Sequence, residues 1–278
     1  MSKRGLFVGL VTLDLIYLAD APPIANQKIV AKETTIAAGG PATNAAIAFQ
    51  HLGTSATLAG AIGSHPICHL IKSDLETCGV QIIDLDPTKT ESPPVSSIVV
   101  TQSTGDRAVV SINAVKSQVM IDCENLLDDI DIVLIDGHQM QLGAAIAKQA
   151  REKNIPVVID GGSWKPGFET VLPYVDYAIC SANFKPPTDQ TVFDYLQSFG
   201  IPNIAITQGK NAIELQTLEI DVPKVPVIDT LGAGDIFHGA FCHYILEHSF
   251  TDTLSKAANV ASHSCQFFGT REWMKRHL

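Results

Sequence analysis

VIDTLGAGDIFHGAFCHY, residues 227–244, decides how this chain is read. Val227 and Ile228 end an apolar, β-branched run, and Asp229-Thr230-Leu231-Gly232-Ala233-Gly234-Asp235 follows. Beyond it Ile236, Ala240 and Tyr244, and Phe237, Phe241 and Ile245, recur at i, i+4, which makes a helix with a wide apolar face. A strand therefore feeds a glycine turn that opens a helix. The first N–H groups of a helix have no internal partners and point outward. With the helix dipole they favour an anion, and glycine lets a phosphate approach the backbone closely. The small residues Gly232, Ala233 and Gly234 suit such a cradle. Asp235 is the odd member. A carboxylate at a helix start is ordinarily a cap, yet beside a phosphate it repels the ligand unless it has a task. Accepting a proton from an attacking hydroxyl is such a task. Donors for a transferring phosphoryl group, with a base in line behind the nucleophile, make a phosphotransfer site.

Outward from this stretch, short apolar runs alternate with helical periodicity. Residues 6–13 (LFVGLVTL) read as one strand buried on both faces. Strand cores follow at 57–62, 132–135, 157–159, 178–180 and 204–207. Helical stretches fall at 41–52, 67–78, 142–153, 167–172 and 191–199, the first opened by Pro41 and closed by Gly53. The alternation predicts a single α/β domain over 1–278 with a mainly parallel sheet. Two segments depart from it. Residues 20–38 are half polar with β-branched ends, and residues 95–113 form two strand-like runs around the turn Ser103-Thr104-Gly105-Asp106. Both read as antiparallel ribbons outside the main sheet, either a small β lid or ordinary edge hairpins.

Composition closes off other classes. The 278 residues are 46% hydrophobic and 17% charged, which excludes intrinsic disorder. A net charge of −10 without a basic run makes a poor partner for nucleic acid or an anionic membrane. No apolar stretch is long enough to span a bilayer. Lys3 and Arg4 before the first apolar run mimic a signal peptide, but Asp14 interrupts it, and Asp20 and Pro22-Pro23 follow without a cleavage pattern. The six cysteines include no pair within three residues, so a reduced, cytoplasmic chain is expected. A Walker A reading fails, because Ile204 stands where its first glycine belongs and Asn211 follows Gly209-Lys210. The dinucleotide fingerprint fails at Phe237. His65 and His69 are separated by Pro66, with no Glu to complete a zinc helix.

Two further features join the first. Gly39-Gly40-Pro41-Ala42-Thr43-Asn44 places paired glycines before a helix, with Asn44 in its first turn. Asp14 is a carboxylate after an apolar strand. In open α/β sheets ligands bind beyond the carboxyl ends of strands, where a carboxylate and an amide suit adjacent hydroxyls of a sugar.

Together, Asp14, Gly39-Gly40 with Asn44, and Asp229-Thr230-x-Gly-Ala-Gly-Asp235 resemble the ribokinase-like (PfkB-type) carbohydrate kinases, in order and separation, over essentially the whole chain. The resemblance implies a three-layer α/β/α sandwich with a β lid over the sugar. It makes Asp235 the catalytic base and Gly232, Ala233 and Gly234 the anion hole. It gives the sugar to Asp14, Gly39, Gly40 and Asn44, with Arg107 on a lid strand. Thr207, Gly209 and Asn259 would flank the nucleotide, ATP with Mg2+, and Asp229 lies where some members place a monovalent cation such as K+. There are departures. Asn183 is followed three residues on by Pro186 instead of the Glu of an Asn-x-x-Glu motif, Leu231 replaces a commoner Thr, and the turn at 63–68 lacks the usual Asp and Gly. Asp160-Gly161-Gly162-Ser163-Trp164-Lys165 would compensate for the missing Glu or be a glycine turn with a packed Trp.

The resulting expectation is an ATP-dependent kinase for a hydroxyl of a small neutral sugar, dimeric through its lid because unpaired strand edges invite pairing. A nucleoside kinase and a non-catalytic binder on the same fold are the alternatives. A nucleoside pocket wants aromatic faces, and the chain is only 6% aromatic. A sugar phosphate wants a cationic clamp, for which Lys28, Lys32 and Arg107 are too few.

Overall fold

The computed structural model describes residues 2–112, 118–119 and 125–276. In chain order the strands are β1 (Arg4–Val8), β2 (Thr12–Ala19), β3 (Glu33–Gly39), β4 (Ser55–Gly60), β5 (Gln81–Asp84), β6 (Val95–Thr101), β7 (Arg107–Val110), β8 (Ile132–Ile135), β9 (Val157–Gly161), β10 (Tyr177–Ser181), β11 (Asn203–Gln208), β12 (Asn211–Glu214) and β13 (Glu219–Ile220). The helices are α1 (Pro41–His51), α2 (Cys68–Thr77), α3 (Met140–Glu152), α4 (Phe168–Val171), α5 (Val192–Gln197), α6 (Ala233–Tyr244) and α7 (Phe250–Ser264).

Nine strands form one sheet in the order β13-β12-β11-β10-β9-β8-β1-β4-β5. The run from β11 to β5 is parallel, and β12 and β13 close one edge antiparallel. Successive side chains of a strand face opposite layers, which is why these strands are apolar throughout. Phe7, Leu134 and Val158 pack against α1, α2, α6 and α7 on one side. Leu6, Val8, Val133 and Ile159 pack against α3, α4 and α5 on the other. The result is the three-layer α/β/α sandwich. All the parallel strands deliver their carboxyl ends to one rim, where α1 and α6 begin.

The remaining four strands, in the order β3-β2-β6-β7, form a separate small sheet, the lid. The lid has its own apolar layer of Ile16, Leu18, Ile98 and Val100, against which Leu231 and Phe268 pack. The two ribbons expected outside the main sheet are thus present, with two corrections. Residues 6–13 are not one strand: β1 ends at Val8, and Thr12–Ala19 is the central lid strand, paired antiparallel to β3 and parallel to β6. Of residues 20–38 only the part from Glu33 is strand, and 20–32 is a loop. The turn at Gly105 joins β6 and β7 as read, whereas Asn113, the last residue of the expected second ribbon, lies outside the described residues.

The break at Gly9 has a steric cause. A Cβ there would lie 2.1 Å from the Asp136 carboxylate. That buried group accepts the Leu10 N–H (2.9 Å), the Ala42 N–H (3.1 Å) and the His138 N–H (2.9 Å), tying the β1–β2 crossing to the start of α1. Burial alone would raise its pKa; the His138 ring, Lys165 and these bonds bring it down to about 2.

Candidate active site

Asp235 lies in the first turn of α6, whose N-cap is Gly232 at φ 71°. That left-handed backbone is open to glycine at little cost. Gly234 has nothing within 4 Å of where a Cβ would be, so the space in front of its backbone is open. The half-buried Asp235 carboxylate accepts the Asn44 side-chain N–H at 2.9 Å. Burial, and then the Asp160 carboxylate nearby, push its pKa up to about 7 against the opposing pull of Asn44, His238 and Arg107. A carboxylate poised there exchanges a proton readily near neutrality.

Asn44 meets this group from α1, and Asp14 lies in the lid. Gly39 ends β3 beside Asp14, and a Cβ on it would lie 2.0 Å from the Asp14 carboxylate. Gly40, at φ 105°, caps α1 and passes so close to Leu10 that a Cβ would be 2.3 Å from its carbonyl oxygen. Asp14 is therefore a lid residue, on β2, and does not follow the first strand of the main sheet as its sequence context suggested. It is buried, accepts the Thr12 hydroxyl at 2.7 Å, and has its pKa raised by burial against bonds from Thr12 and Ser96 and the charge of Arg271.

Arg271 was not singled out from the sequence. Its Nη1 donates to Asn44 Oδ1 (3.1 Å) and Thr270 Oγ1 (2.8 Å), and its Nη2 donates to Ala38 O (2.6 Å) and Asp74 Oδ2 (2.9 Å). It thus fixes the amide that in turn holds Asp235. Sequence spacing carries no signal for it, because its partners lie 197 and 227 residues away.

Arg107 lies on the lid strand β7, where a substrate contact was expected, and it holds the backbone before α6. Its Nη1 donates to the Thr230 carbonyl (3.2 Å) and hydroxyl (2.9 Å). Thr230 in turn donates its N–H (3.3 Å) and its hydroxyl (3.0 Å) to the Gly105 carbonyl at the lid turn. Asp229 is buried and already engaged: Oδ1 accepts the Leu231 N–H (2.8 Å) and Oδ2 the Gly269 N–H (2.9 Å). Burial raises its pKa against those two bonds and the Arg107 charge.

Thr207 and Gly209 sit at the carboxyl end of β11 and in the turn to β12, at the rim where they were expected. Thr207 donates its hydroxyl to Cys180 O at 3.3 Å. Asn259 is exposed on α7 and its amide donates to Ser255 O (3.0 Å). No bond ties these three to Asp235. Asn183 lies in the turn after β10, its N–H held by the Ser181 hydroxyl at 3.0 Å. Trp164 packs on Phe168, Phe184 and Tyr195, so that part of the Asp160–Lys165 turn is core. Among the described residues no cluster of three or more His, Cys, Asp or Glu side chains is arranged to hold a metal ion.

A parallel α/β body, a β lid, and a helix-start anion cradle with a poised carboxylate define a phosphotransferase of the small-molecule kinase class. The chain belongs to the pfkB family of carbohydrate kinases, which it matches over residues 3–276. It is 23% identical over 280 residues to a ribokinase of Bacillus subtilis, covering 96% of this chain and 94% of that one. Its fold superposes on a ribokinase of Arabidopsis thaliana solved with ribose and ATP (TM-score 0.78, 21% identity, 100% of both chains). It also superposes on a ribokinase of Thermotoga maritima (TM-score 0.77, 19% identity, 99% and 98%).

Proposed function

We propose that this protein, acting as one catalytic unit, transfers the terminal phosphoryl group of ATP to a hydroxyl of a small neutral sugar. The observation that carries the reading is the Asn44–Asp235 hydrogen bond at the mouth of the glycine cradle. It aims a carboxylate of near-neutral pKa at the place where an anion approaches the start of α6. Asp235 takes the proton of the attacking hydroxyl. The N–H groups around Gly232, Ala233 and Gly234 receive the transferring phosphoryl oxygens as charge develops. Asp14, Asn44, Gly39 and Gly40 hold and orient the sugar, and the lid excludes the water that would otherwise be phosphorylated in its place. Thr207, Gly209 and Asn259 flank the nucleotide.

Magnesium arriving with the nucleotide would supply charge neutralisation at the phosphates. The described side chains supply no ligand cluster of their own, so no residue is assigned to it. Each Asp229 oxygen accepts one backbone N–H and keeps a further lone pair, so Asp229 stays the residue that would hold a monovalent cation such as K+. It ties the loop before α6.

The free thiols among the described residues support a reducing, cytoplasmic setting, and no described helix is long and apolar enough to cross a membrane. The acidic net charge supports a small-molecule acceptor over nucleic acid. The outward face of the lid carries Tyr17 and Val99 with the exposed Ile36 and Val110, an apolar strip suited to a second copy of the chain.

ADP release over a panel of pentoses, hexoses and nucleosides, with Asp235→Asn as the control, tests the reading. A neutral sugar is expected to give the highest kcat/KM, and Asp235→Asn to remove the activity. Preference for a nucleoside supports the alternative acceptor, and sugar binding without ADP release supports a non-catalytic binder. Light scattering in solution tests the dimer.

A further inference from the structure

His238 stands three residues after Asp235 on α6, and its ring is buried, as is Asp160 at the end of β9. Its Nδ1 lies 2.7 Å from the Gly234 carbonyl oxygen and 3.6 Å from Asp160 Oδ2. Its Nε2 lies 3.1 Å from the Ile179 carbonyl oxygen on β10. Every polar neighbour of this ring is an acceptor. A neutral imidazole has one N–H and would turn a ring lone pair on one of them; only the charged ring donates on both sides. A buried charge persists when it is paired, and Asp160 supplies the partner, itself held by the Gly162 N–H at 2.8 Å. Gly234 is in the cradle, so the bond to its carbonyl fixes the first turn of α6 from beneath. The two charges act on Asp235 in opposite senses, Asp160 favouring its protonated form and His238 its ionised form.

We propose that Asp160 and His238 are a positioning pair for phosphoryl transfer: the His238 ring holds the cradle through the Gly234 carbonyl, Asp160 holds the ring, and the pair acts electrostatically on Asp235. The inference rests on Asp235 being the base. The charged groups that bear on Asp235 are Asp160 from β9, His238 from α6 and Arg107 from β7, with Asn44 of α1 as a neutral donor. The thiols of Cys180 on β10 and Cys242 on α6 also face Asp160. Burial, and then the Asp160 charge, raise their pKa, so neither competes for the proton.

The test is the pH profile of kcat/KM for the full-length enzyme with its best panel sugar, in wild type, His238→Gln and Asp160→Asn. Gln keeps a donor but removes the charge. The acid limb should move up by about 1 pH unit in His238→Gln and down in Asp160→Asn, following the sense in which each group acts on Asp235. Opposed shifts support the pair. Unmoved limbs, or shifts of the same sign, overturn it, because a merely structural role lowers rates alike at all pH values. Nitrogen-15 histidine spectra of the wild type keep the inference testable if a variant does not fold. Two ring N–H signals for His238 at pH 7.5 support the charged ring, and one overturns it. If no sugar or nucleoside is phosphorylated, the kinase reading falls and these spectra alone decide the pair.

Discussion

Replacing Arg271 by Met should separate stability from catalysis. The substitution leaves a side chain of similar length but removes every donor. Asp74 loses its ion partner, the Ala38 carbonyl loses a bond, and Asn44 loses the anchor on its Oδ1. Removing one member of a buried ion pair costs about 3–5 kcal/mol. Here the two side chains keep 16% and 22% of their exposure, so screening reduces this to about 2–3 kcal/mol. With an unfolding entropy of about 2.1 cal/mol/K per residue, a chain of this length loses roughly 3–5 °C in Tm. The catalytic cost is separate: an unanchored Asn44 no longer aims Asp235, so kcat should fall by about tenfold or more. Arg271→Met/Asp74→Asn removes the stranded charge while an amide oxygen still accepts the Ala38 N–H, and should recover part of the stability without recovering kcat. Thermal melts and steady-state kinetics on the three proteins check this. A Tm loss below 1 °C in the single variant, or wild-type kcat in the double variant, would refute the reasoning.

Asp235 sets two pH dependences. With its ionised form as the proposed base, kcat/KM should fall as pH drops through about 7, and a flat profile from pH 6 to 8.5 would contradict that role. Its folded-state pKa is raised from 3.8, so the stability it contributes is complete below pH 3.8 and lost as pH rises through 7. Asp235→Asn should therefore melt higher than wild type at pH 8, with the gap closing towards pH 4, while turnover falls by roughly 10²–10⁴-fold. Gly234→Val meets open space, so Tm should hold while nucleotide KM rises and kcat falls; a folding defect would show the turn to be tighter than described. Arg107→Ala removes two exposed bonds to Thr230. It should leave Tm nearly unchanged but raise hydrogen exchange in β6 and β7 and weaken nucleotide binding without sugar, both measurable on the resting enzyme.

The residues that were legible in the sequence are those whose role is local. The strand, glycine turn and helix at 227–244 are contiguous, and periodicity alone places Asp235 at a helix start. Asn44 was legible for the same reason, two glycines and a proline upstream. The lid was half legible. Residues 6–13 and 12–19 are both apolar, so a single strand running into the crossing at Gly9 looks the same as two strands in different sheets. What separates them is the Asp136 carboxylate filling the space at Gly9, a contact across 127 positions that no window can contain. Arg271 and His238 were missed on the same ground, since each acts through partners on other strands or helices, and Asp160 was legible only as part of a turn. Trp164 was read with two roles open, and its three aromatic neighbours give it to the core.

Thr230 serves two masters. It receives the lid at Gly105 and Arg107, and two to four residues further on the backbone is the proposed anion cradle. Leu231 beside it packs into the apolar layer of the lid. A lid that lifts to admit sugar must let go of the segment that shapes the phosphate site. The sites are then thermodynamically linked, and linkage is reciprocal: the factor by which sugar tightens nucleotide is the factor by which nucleotide tightens sugar. An enzyme wired in this way has no strong anion site to offer until its acceptor is seated, so restraint on wasteful ATP turnover follows from where one threonine is placed.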